Sequence, residues 1–294
     1  MKKLIINADD FGMSPEANAA ILELLQENKL SSTSLMANGP YFSEALEMIR
    51  DNELKDIGVH LAFTRDGFDV QSPILYRSLS GKAPLTDSTG NLHTNIASLR
   101  KCSILDLAEE AELQFSKLLI NGIDFTHIDN HMYSLFPSLG LKGYLAVFLA
   151  YNRIWDKQTS RGIRLTRTVR YFPGMFEIWS GRKLRPILLA FAFLKKLHPI
   201  DYCYAFPFSG KDVPSLQEKK DLFSSFLREL PDGVTELHIH PCIDTLHLRN
   251  SNPTWQHRVH EYQMLKEINL KQLLEKYGIE LTSYSALCRE SSSN

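Results

Sequence analysis

Apolar residues recur along the chain with two spacings, which predict strands and helices in alternation. Short apolar runs, such as "KLIIN" at 3–7 and "IGVHLAF" at 57–63, are typical of buried strands. Segments with apolar residues three and four positions apart, as at Ile21, Leu24 and Leu25, are typical of helices. The pattern predicts strands at 3–7, 32–38, 57–63, 124–130, 162–169, 234–241 and 279–284, and helices at 15–29, 42–51, 104–120, 137–152, 183–197, 215–229 and 257–277. This alternation predicts parallel βαβ units, and hence an α/β fold built on an open sheet or a barrel.

The composition is that of a globular protein with a large core. Of the 294 residues, 44% are hydrophobic and 23% are charged, which fits one large domain or two small ones. The formal net charge of −1 gives no whole-chain attraction to nucleic acid, so we expect no nucleic-acid partner. The four cysteines form no CxxC pair, which argues against a disulfide framework and suits a cytoplasmic protein. The first apolar run has four residues, too few for a signal peptide or a membrane span.

No internal repeat or linker divides the chain, so we expect a single domain over 1–294 with a divergent helical insertion at about 145–200. In that insertion, the segment 184–200 has eight consecutive apolar residues flanked by Arg and Lys, far too few to cross a bilayer. A core helix with a basic end explains this segment. The alternative is a weak membrane-surface contact or a site for an apolar acceptor. The long polar segment 65–100 is expected to cover one end of the sheet.

Two adjacent carboxylates, Asp9 and Asp10, directly follow the first predicted strand in "NADDFG". Ordinary turn chemistry is one explanation, because Ser14 and Pro15 are typical of a helix start. However, loops at the C-terminal ends of strands in α/β proteins are where ligands bind and chemistry is placed. Adjacent side chains point in different directions, so we expect the two carboxylates to play different parts.

Histidines follow other predicted strands at the same ends: His60 in "GVHLAF", His127 and His131 in "THIDNHMYS", and His238 and His240 in "ELHIHPC". If the strands are parallel, these side chains converge on one point. Two imidazoles and one carboxylate form a metal site that leaves positions open for water. A second carboxylate can then serve as general base, and His240 is placed to protonate a leaving group. The pattern predicts metal-assisted hydrolysis of an amide or ester.

Four motifs together resemble those of the YdjC/ChbG family of carbohydrate deacetylases: "NADDFG", "GVHL", "THIDNH", and "HP" near the last strands. The resemblance covers positions 3 to about 284. It implies a TIM-like (β/α) barrel, complete or with fewer than eight strands, whose active site lies at the C-terminal ends of the parallel strands. It also implies one divalent metal ion, Mg²⁺ or Zn²⁺, held by Asp10, His60 and His131. Asp9 would be the general base that helps to remove an acetyl group from an N-acetylated sugar, such as a chitin-derived oligosaccharide.

Candidates for substrate contact follow from side-chain chemistry. Tyr133 stands in "HMYSLF", where family members often carry further histidines. Arg164 and Arg167 lie on a predicted strand, where at most one is expected to face the site. Trp255 and Arg258 are candidates to stack on a sugar ring and to orient the base. The apolar segment 184–200 extends the substrate hypothesis to a lipid-linked or otherwise apolar N-acetyl sugar.

Two other functions remain open from the sequence. A barrel-type phosphoesterase also gathers Asp and His at strand ends, although no Gly-rich or Lys-bearing phosphate cradle is visible. A catalytically silent metal-binding or sugar-binding protein is expected instead if Asp9 does not reach the activated water. The sequence predicts no particular oligomeric state.

Overall fold

Strands and helices alternate along most of the chain in the computed structural model of the protein, which describes residues 1–66, 76–156, 158–177, 185–208 and 213–292. Ten strands lie within these residues: β1 (Lys2–Phe11), β2 (Ser32–Leu35), β3 (Ile57–Leu61), β4 (His127–Asn130), β5 (Arg161–Thr166), β6 (Phe176–Glu177), β7 (Leu197–Ile200), β8 (Tyr202–Ala205), β9 (Gly233–Ile239) and β10 (Ile279–Leu281). Ten helices accompany them: α1 (Pro15–Gln26), α2 (Phe42–Asp51), α3 (Ile104–Ile120), α4 (Leu141–Ile154), α5 (Arg185–Leu194), α6 (Leu216–Arg228), α7 (Leu246–Ser251), α8 (Trp255–Glu267), α9 (Leu270–Tyr277) and α10 (Tyr284–Ser292).

The strands join one mixed sheet that curls on itself. Its order is β6-β8-β9-β1-β2-β3-β4-β5-β7, and β10 also pairs with β1. The pairing of β6 with β8 is antiparallel, and the other pairings in this sheet are parallel. At one end of the sheet β7 pairs with β5, and near the other end β8 pairs with β9. Only one residue, Asp201, separates β7 from β8 along the chain. The stretch 197–205 therefore bridges the two ends of the sheet.

The central strands are buried over nearly their whole lengths, as parallel strands covered on both faces are. Burial in β1 runs from Leu4 to Phe11, and β2, β3 and β4 are buried throughout. The largest hydrophobic cluster joins these strands to the surrounding helices. Polar side chains in the strands, among them Asn7, His60 and Asp129, therefore need partners inside the protein.

Most predicted elements are confirmed, and the differences have local causes. The helix predicted at 257–277 is two helices, α8 and α9, because the chain breaks at Ile268 and the Asn269 side chain caps α9. The segment 145–200, predicted as a helical insertion, contributes β5 and β7 to the sheet. The short strands β6, β7 and β8 are absent from the sequence-based prediction.

The apolar segment predicted at 184–200 forms α5 and β7, and residue 184 itself lies outside the described residues. Helix α5 buries Leu188 and Ala192 but leaves Ile187, Phe193 and Leu194 exposed. In the part of the chain that the structure describes, no helix combines the length and apolar character needed to cross a membrane. The cover predicted at 65–100 lies partly outside the described residues, at 67–75.

Candidate active site

A cavity of about 340 Å³ opens at the C-terminal ends of β1, β4 and β9. Its volume is at the lower end of the range of small-molecule sites, roughly 300–1,000 Å³. Its lining consists of Asp9, Asp10, Asp66, Asn130, His131, Met132, Tyr133, Phe176, Ala205, Phe206, Phe208, His240, Thr254 and Arg258. Charged groups and imidazoles thus meet an apolar wall in one cavity.

A bulge at the end of β1 turns two neighbouring carboxylates toward this cavity. The register with β2 shifts between Ala8 and Phe11, so β1 carries one residue more than its partner there. Asp10 has a φ of 70°, in the left-handed region that residues with a side chain seldom adopt. In a regular strand the side chains of Asp9 and Asp10 would point to opposite faces, whereas here both line the cavity.

Asp10, His60 and His131 form a buried cluster beside the cavity. Asp10 Oδ1 lies 3.3 Å from His60 Nε2 and 3.0 Å from His131 Nδ1. One ligand atom from each of the three residues lies within 4.8 Å of the others. Among the described residues, His60 Nε2 and His131 Nε2 are buried without a hydrogen-bond partner, which is costly unless another group satisfies them. Two imidazoles and a carboxylate with such unpartnered nitrogens fit a divalent metal ion.

A carboxylate on the neighbouring strand orients His60. His60 Nδ1 donates a hydrogen bond of 2.7 Å to Asp129 Oδ1, which leaves Nε2 directed at Asp10. Carboxylates that hold a metal-ligating imidazole in this way fix its tautomer and ring orientation. Burial alone would lower the pKa of His60, but Asp129 and Asp9 raise it to about 10. The site therefore stabilises positive charge on or next to this ring.

His131 and Asp10 are held by charged partners on the other side of the cluster. Asp66 Oδ2 lies 3.6 Å from His131 Nε2, and Arg258 Nη1 on α8 donates a hydrogen bond of 2.8 Å to Asp10 Oδ2. Burial opposes the charge on His131, yet Asp66 and Asp10 raise its pKa to about 9. Burial likewise opposes ionisation of Asp10, but Arg258 and His131 hold its pKa well below the usual range. Asp10 is therefore an ionised carboxylate that pairs with Arg258 and His131 at the same time.

Arg164, on β5, lies fully buried beneath Asp9. Its Nη1 and Nη2 atoms donate hydrogen bonds of 2.7 Å to the two carboxylate oxygens of Asp9. The same guanidinium lies 2.7 Å from Asp129 Oδ2 and from Glu236 Oε1. Asn7 Nδ2 donates a further bond of 2.8 Å to Asp9 Oδ1. Burial would raise the pKa of Asp9, but Arg164 and His60 keep it well below its ordinary value.

The two histidines at the C-terminal end of β9, His238 and His240, differ in whether they line the cavity. His240 lines the cavity, and its ring packs edge-on against Phe208 at 4.5 Å. Its Nδ1 is buried and has no hydrogen-bond partner in the part of the chain that the structure describes. Burial lowers the pKa of His240, with Asp10 opposing the shift. His238 is buried and its Nε2 is hydrogen-bonded to the Tyr133 hydroxyl. His240 is therefore the member of the pair that faces the cavity.

The structure separates the predicted substrate contacts into two groups. Tyr133 and Arg258 line the cavity. Arg164 lies below it with its guanidinium held by carboxylates, so it is not free to bind a sugar. Arg167 is half exposed and lies 3.5 Å from Asp201. Trp255 packs in a separate small cluster and does not line the cavity. We therefore keep only Tyr133 and Arg258 as proposed contacts.

Several residues that shape the site are absent from the sequence-based prediction. They are Asp66, Asp129, Glu236, Phe176, Phe206 and Phe208. Asp129 alone carried a usable signal, because it stands in "HIDN" on a predicted strand between two candidate histidines. The others lie in segments whose pairing with the site depends on how the sheet curls.

Comparison with known proteins identifies the family of the chain. The family described as YdjC-like protein matches residues 3–276. The chain belongs to the YdjC family. A curated relative from Listeria monocytogenes, named carbohydrate deacetylase, is 38% identical over 133 residues, which are 44% of this YdjC chain and 51% of that protein. The match thus spans about half the length of the Listeria relatives. A carbohydrate deacetylase from Enterococcus faecalis is 27% identical over 97% of this chain and 98% of its own.

A solved structure shares the fold of this YdjC chain. A protein from Enterococcus faecalis, for which cellobiose-phosphate cleavage is the proposed activity, superposes with a TM-score of 0.71 at 23% identity. The superposition covers 97% of this chain and 98% of the other. At this level of identity the likeness concerns the course of the backbone.

Proposed function

We propose that this protein is a metal-dependent deacetylase that removes the acetyl group from an N-acetylated sugar. The observation that carries the proposal is the Asp10–His60–His131 cluster, whose imidazoles each have a nitrogen without a hydrogen-bond partner among the described residues. The cluster lies beside a cavity that Asp9 and His240 line. The relatives named carbohydrate deacetylase support the choice of a sugar substrate. The curled sheet, with its run of eight parallel strands from β8 to β7, supports a TIM-like barrel, which we propose as the finer description of the fold.

Asp10, His60 and His131 would hold the metal ion, which we propose to be Mg²⁺ or Zn²⁺. When bound, such an ion polarises the acetyl carbonyl and makes water a stronger nucleophile at neutral pH. Asp129 keeps the Nδ1 proton on His60, so that Nε2 remains available as a ligand. Arg258 fixes one oxygen of Asp10 and leaves the other beside the two imidazoles.

Asp9 is the proposed general base and His240 the proposed general acid. Asp9 stays ionised because Arg164 pairs with both of its oxygens. Oδ1 also accepts from Asn7, so Oδ2 is the oxygen that retains a further lone pair to accept a proton or a hydrogen bond. His240 lines the cavity, so its imidazole is placed to protonate the amine that leaves when the amide C–N bond breaks. Both groups border one cavity, which allows them to act on opposite sides of an acetamido group.

One assay separates this function from its alternatives. The protein is incubated with diacetylchitobiose and, separately, with 4-nitrophenyl phosphate, in the presence of Mg²⁺, Zn²⁺, Mn²⁺ or Co²⁺. We expect acetate and free amine from the sugar, lost in the Asp9→Asn variant, and no phosphate release above the rate of that variant. Phosphate without acetate would identify a phosphoesterase. Metal binding without either product would identify a silent binding protein.

A further inference from the structure

We infer that the outer wall of the cavity is a subsite for an aliphatic aglycone, so that the substrate is an N-acetyl sugar linked to an apolar chain. This inference rests on the proposed function and narrows its substrate class. The observation is the division of the cavity into a polar floor and an apolar wall. The wall is formed by Met132, Tyr133, Phe176, Ala205, Phe206 and Phe208.

The polar groups of the lining that lie away from the floor are already engaged. The Tyr133 hydroxyl is hydrogen-bonded to His238. Thr254 Oγ1 donates a bond of 2.7 Å to Asn252 Oδ1. The side-chain amide of Asn130 is used by the backbone of the turn that follows it. The described part of the wall therefore offers few free partners for the hydroxyls of a second sugar ring.

The unsatisfied polar atoms of the site lie instead at the floor. His240 Nδ1 and Arg258 Nε are buried without hydrogen-bond partners among the described residues, and both side chains line the cavity together with Asp10. This set suits one acetamido sugar held at the reacting carbonyl. A second sugar ring against the wall would bury hydroxyls without compensation, which is unfavourable, whereas an alkyl chain there buries only apolar surface.

Exposed apolar side chains continue the wall toward the cavity mouth. Met132 is 40% exposed and Phe176 is 54% exposed, and the Phe176 ring lies 6.2 Å from that of Tyr133. Aromatic rings also stack on sugar faces, but Met132 and Ala205 offer no ring for such stacking. A continuous apolar surface that begins beside the reacting groups and is open at its outer end fits a chain that leaves the site.

The test compares kcat/KM for acetate release from methyl and octyl β-N-acetylglucosaminide and from diacetylchitobiose, all below the concentration at which the octyl glycoside forms micelles. We expect the octyl glycoside to exceed both others by about tenfold or more, because several methylenes become buried. Phe176→Asp places a charge on the wall and should bring the octyl-to-methyl ratio close to one. Phe193→Asp is the matched control, since Phe193 is an exposed aromatic on α5 that does not line the cavity.

The outcomes are distinct. A methyl glycoside or diacetylchitobiose that reacts as fast as the octyl glycoside overturns the apolar subsite and leaves the deacetylase function standing. A fall of the ratio in Phe193→Asp as large as that in Phe176→Asp shows that the preference does not come from this wall. If none of the three substrates releases acetate, the proposed function is overturned, and the subsite with it.

Discussion

Arg164 donates a hydrogen bond of 2.7 Å to each of the two carboxylate oxygens of Asp9, and both side chains are buried. This two-pronged pairing fixes the orientation of the carboxylate as a single hydrogen bond would not. The guanidinium is in turn shared with Asp129 and Glu236, so it neutralises negative charge that the fold would otherwise leave uncompensated. The proposed base and the residue that orients His60 therefore depend on one cation.

Replacing Arg164 tests this dependence. Arg164→Met leaves the buried carboxylates without their cation and should lower the free energy of unfolding by about 3–5 kcal/mol. Arg164→Lys keeps the positive charge but cannot donate the two parallel hydrogen bonds to Asp9, so we expect a folded protein with much lower acetate release. Urea unfolding and an acetate assay measure the two effects. Arg167→Lys is the control, because Arg167 is half exposed, and its stability should change by less than about 0.5 kcal/mol. A fully active Arg164→Lys variant would show that the two parallel hydrogen bonds from the guanidinium to Asp9 are not needed for activity.

Asp129 should act on metal affinity through His60. In Asp129→Asn the hydrogen bond to His60 Nδ1 weakens and the proton is no longer held on that nitrogen. Loss of such a partner typically weakens metal binding by about 10–100-fold. Isothermal titration calorimetry with Zn²⁺ measures the change in metal affinity. Asp124→Asn, at a largely exposed carboxylate, is the control and should bind metal as the native protein does. Unchanged affinity in Asp129→Asn would exclude the orienting role.

His240→Ala should separate amide cleavage from ester cleavage. An amine leaves poorly unless it is protonated, so removal of the proposed acid should slow release of acetate from an N-acetyl sugar by about 10²–10⁴-fold. An activated aryl acetate needs little protonation of its leaving group and should be much less affected. Steady-state rates on both substrates give the comparison, with metal content measured to check that the ion is retained. Equal losses on the two substrates would assign His240 to binding instead.

His127 predicts a dependence of stability on pH. It is fully buried and stacks on Tyr284 at 4.1 Å, and burial lowers its pKa to about 4. An unfolded histidine has a pKa near 6.5, so the unfolded chain binds one more proton between about pH 6.5 and 4. Stability is therefore lost as the pH falls through this range, by about 2 kcal/mol between pH 7 and 5.

The His127→Phe variant isolates this contribution, because it keeps the stacked ring and cannot be protonated. We measure the free energy of unfolding of both proteins by urea at pH 7 and pH 5. Relative to His127→Phe, the native protein should lose about 2 kcal/mol over that interval. A difference between the two proteins that stays constant with pH would contradict the neutral, buried state of His127.

The convergence of the site residues could be predicted because it follows from topology. Residues at the C-terminal ends of neighbouring parallel strands share one edge, and β1, β3 and β4 bring Asp10, His60 and His131 there. The sequence does not reveal the extra residue of β1 that turns Asp9 and Asp10 to the same cavity, since a bulge is set by pairing with β2.

The buried charges beneath the site could not be predicted for a different reason. Arg164 and Glu236 stand on strands where charged residues are usually exposed, and their partnership depends on the curl that brings β5 close to β9. The strands β7 and β8 that make this curl are four residues each and are separated by Asp201. Runs this short carry too few alternating positions for periodicity to identify them.

The metal content of the Asp10→Ala variant tests the proposed metal centre most directly. The native protein and the variant are loaded with Zn²⁺, freed of excess ion by gel filtration and measured by elemental analysis. We expect about one equivalent in the native protein and a small fraction of that in Asp10→Ala, because two remaining ligands rarely retain a labile divalent ion. His247→Ala, at a half-exposed histidine outside the cavity, should keep the full equivalent. A full equivalent of zinc in Asp10→Ala would contradict the assignment of Asp10, His60 and His131 as the metal site.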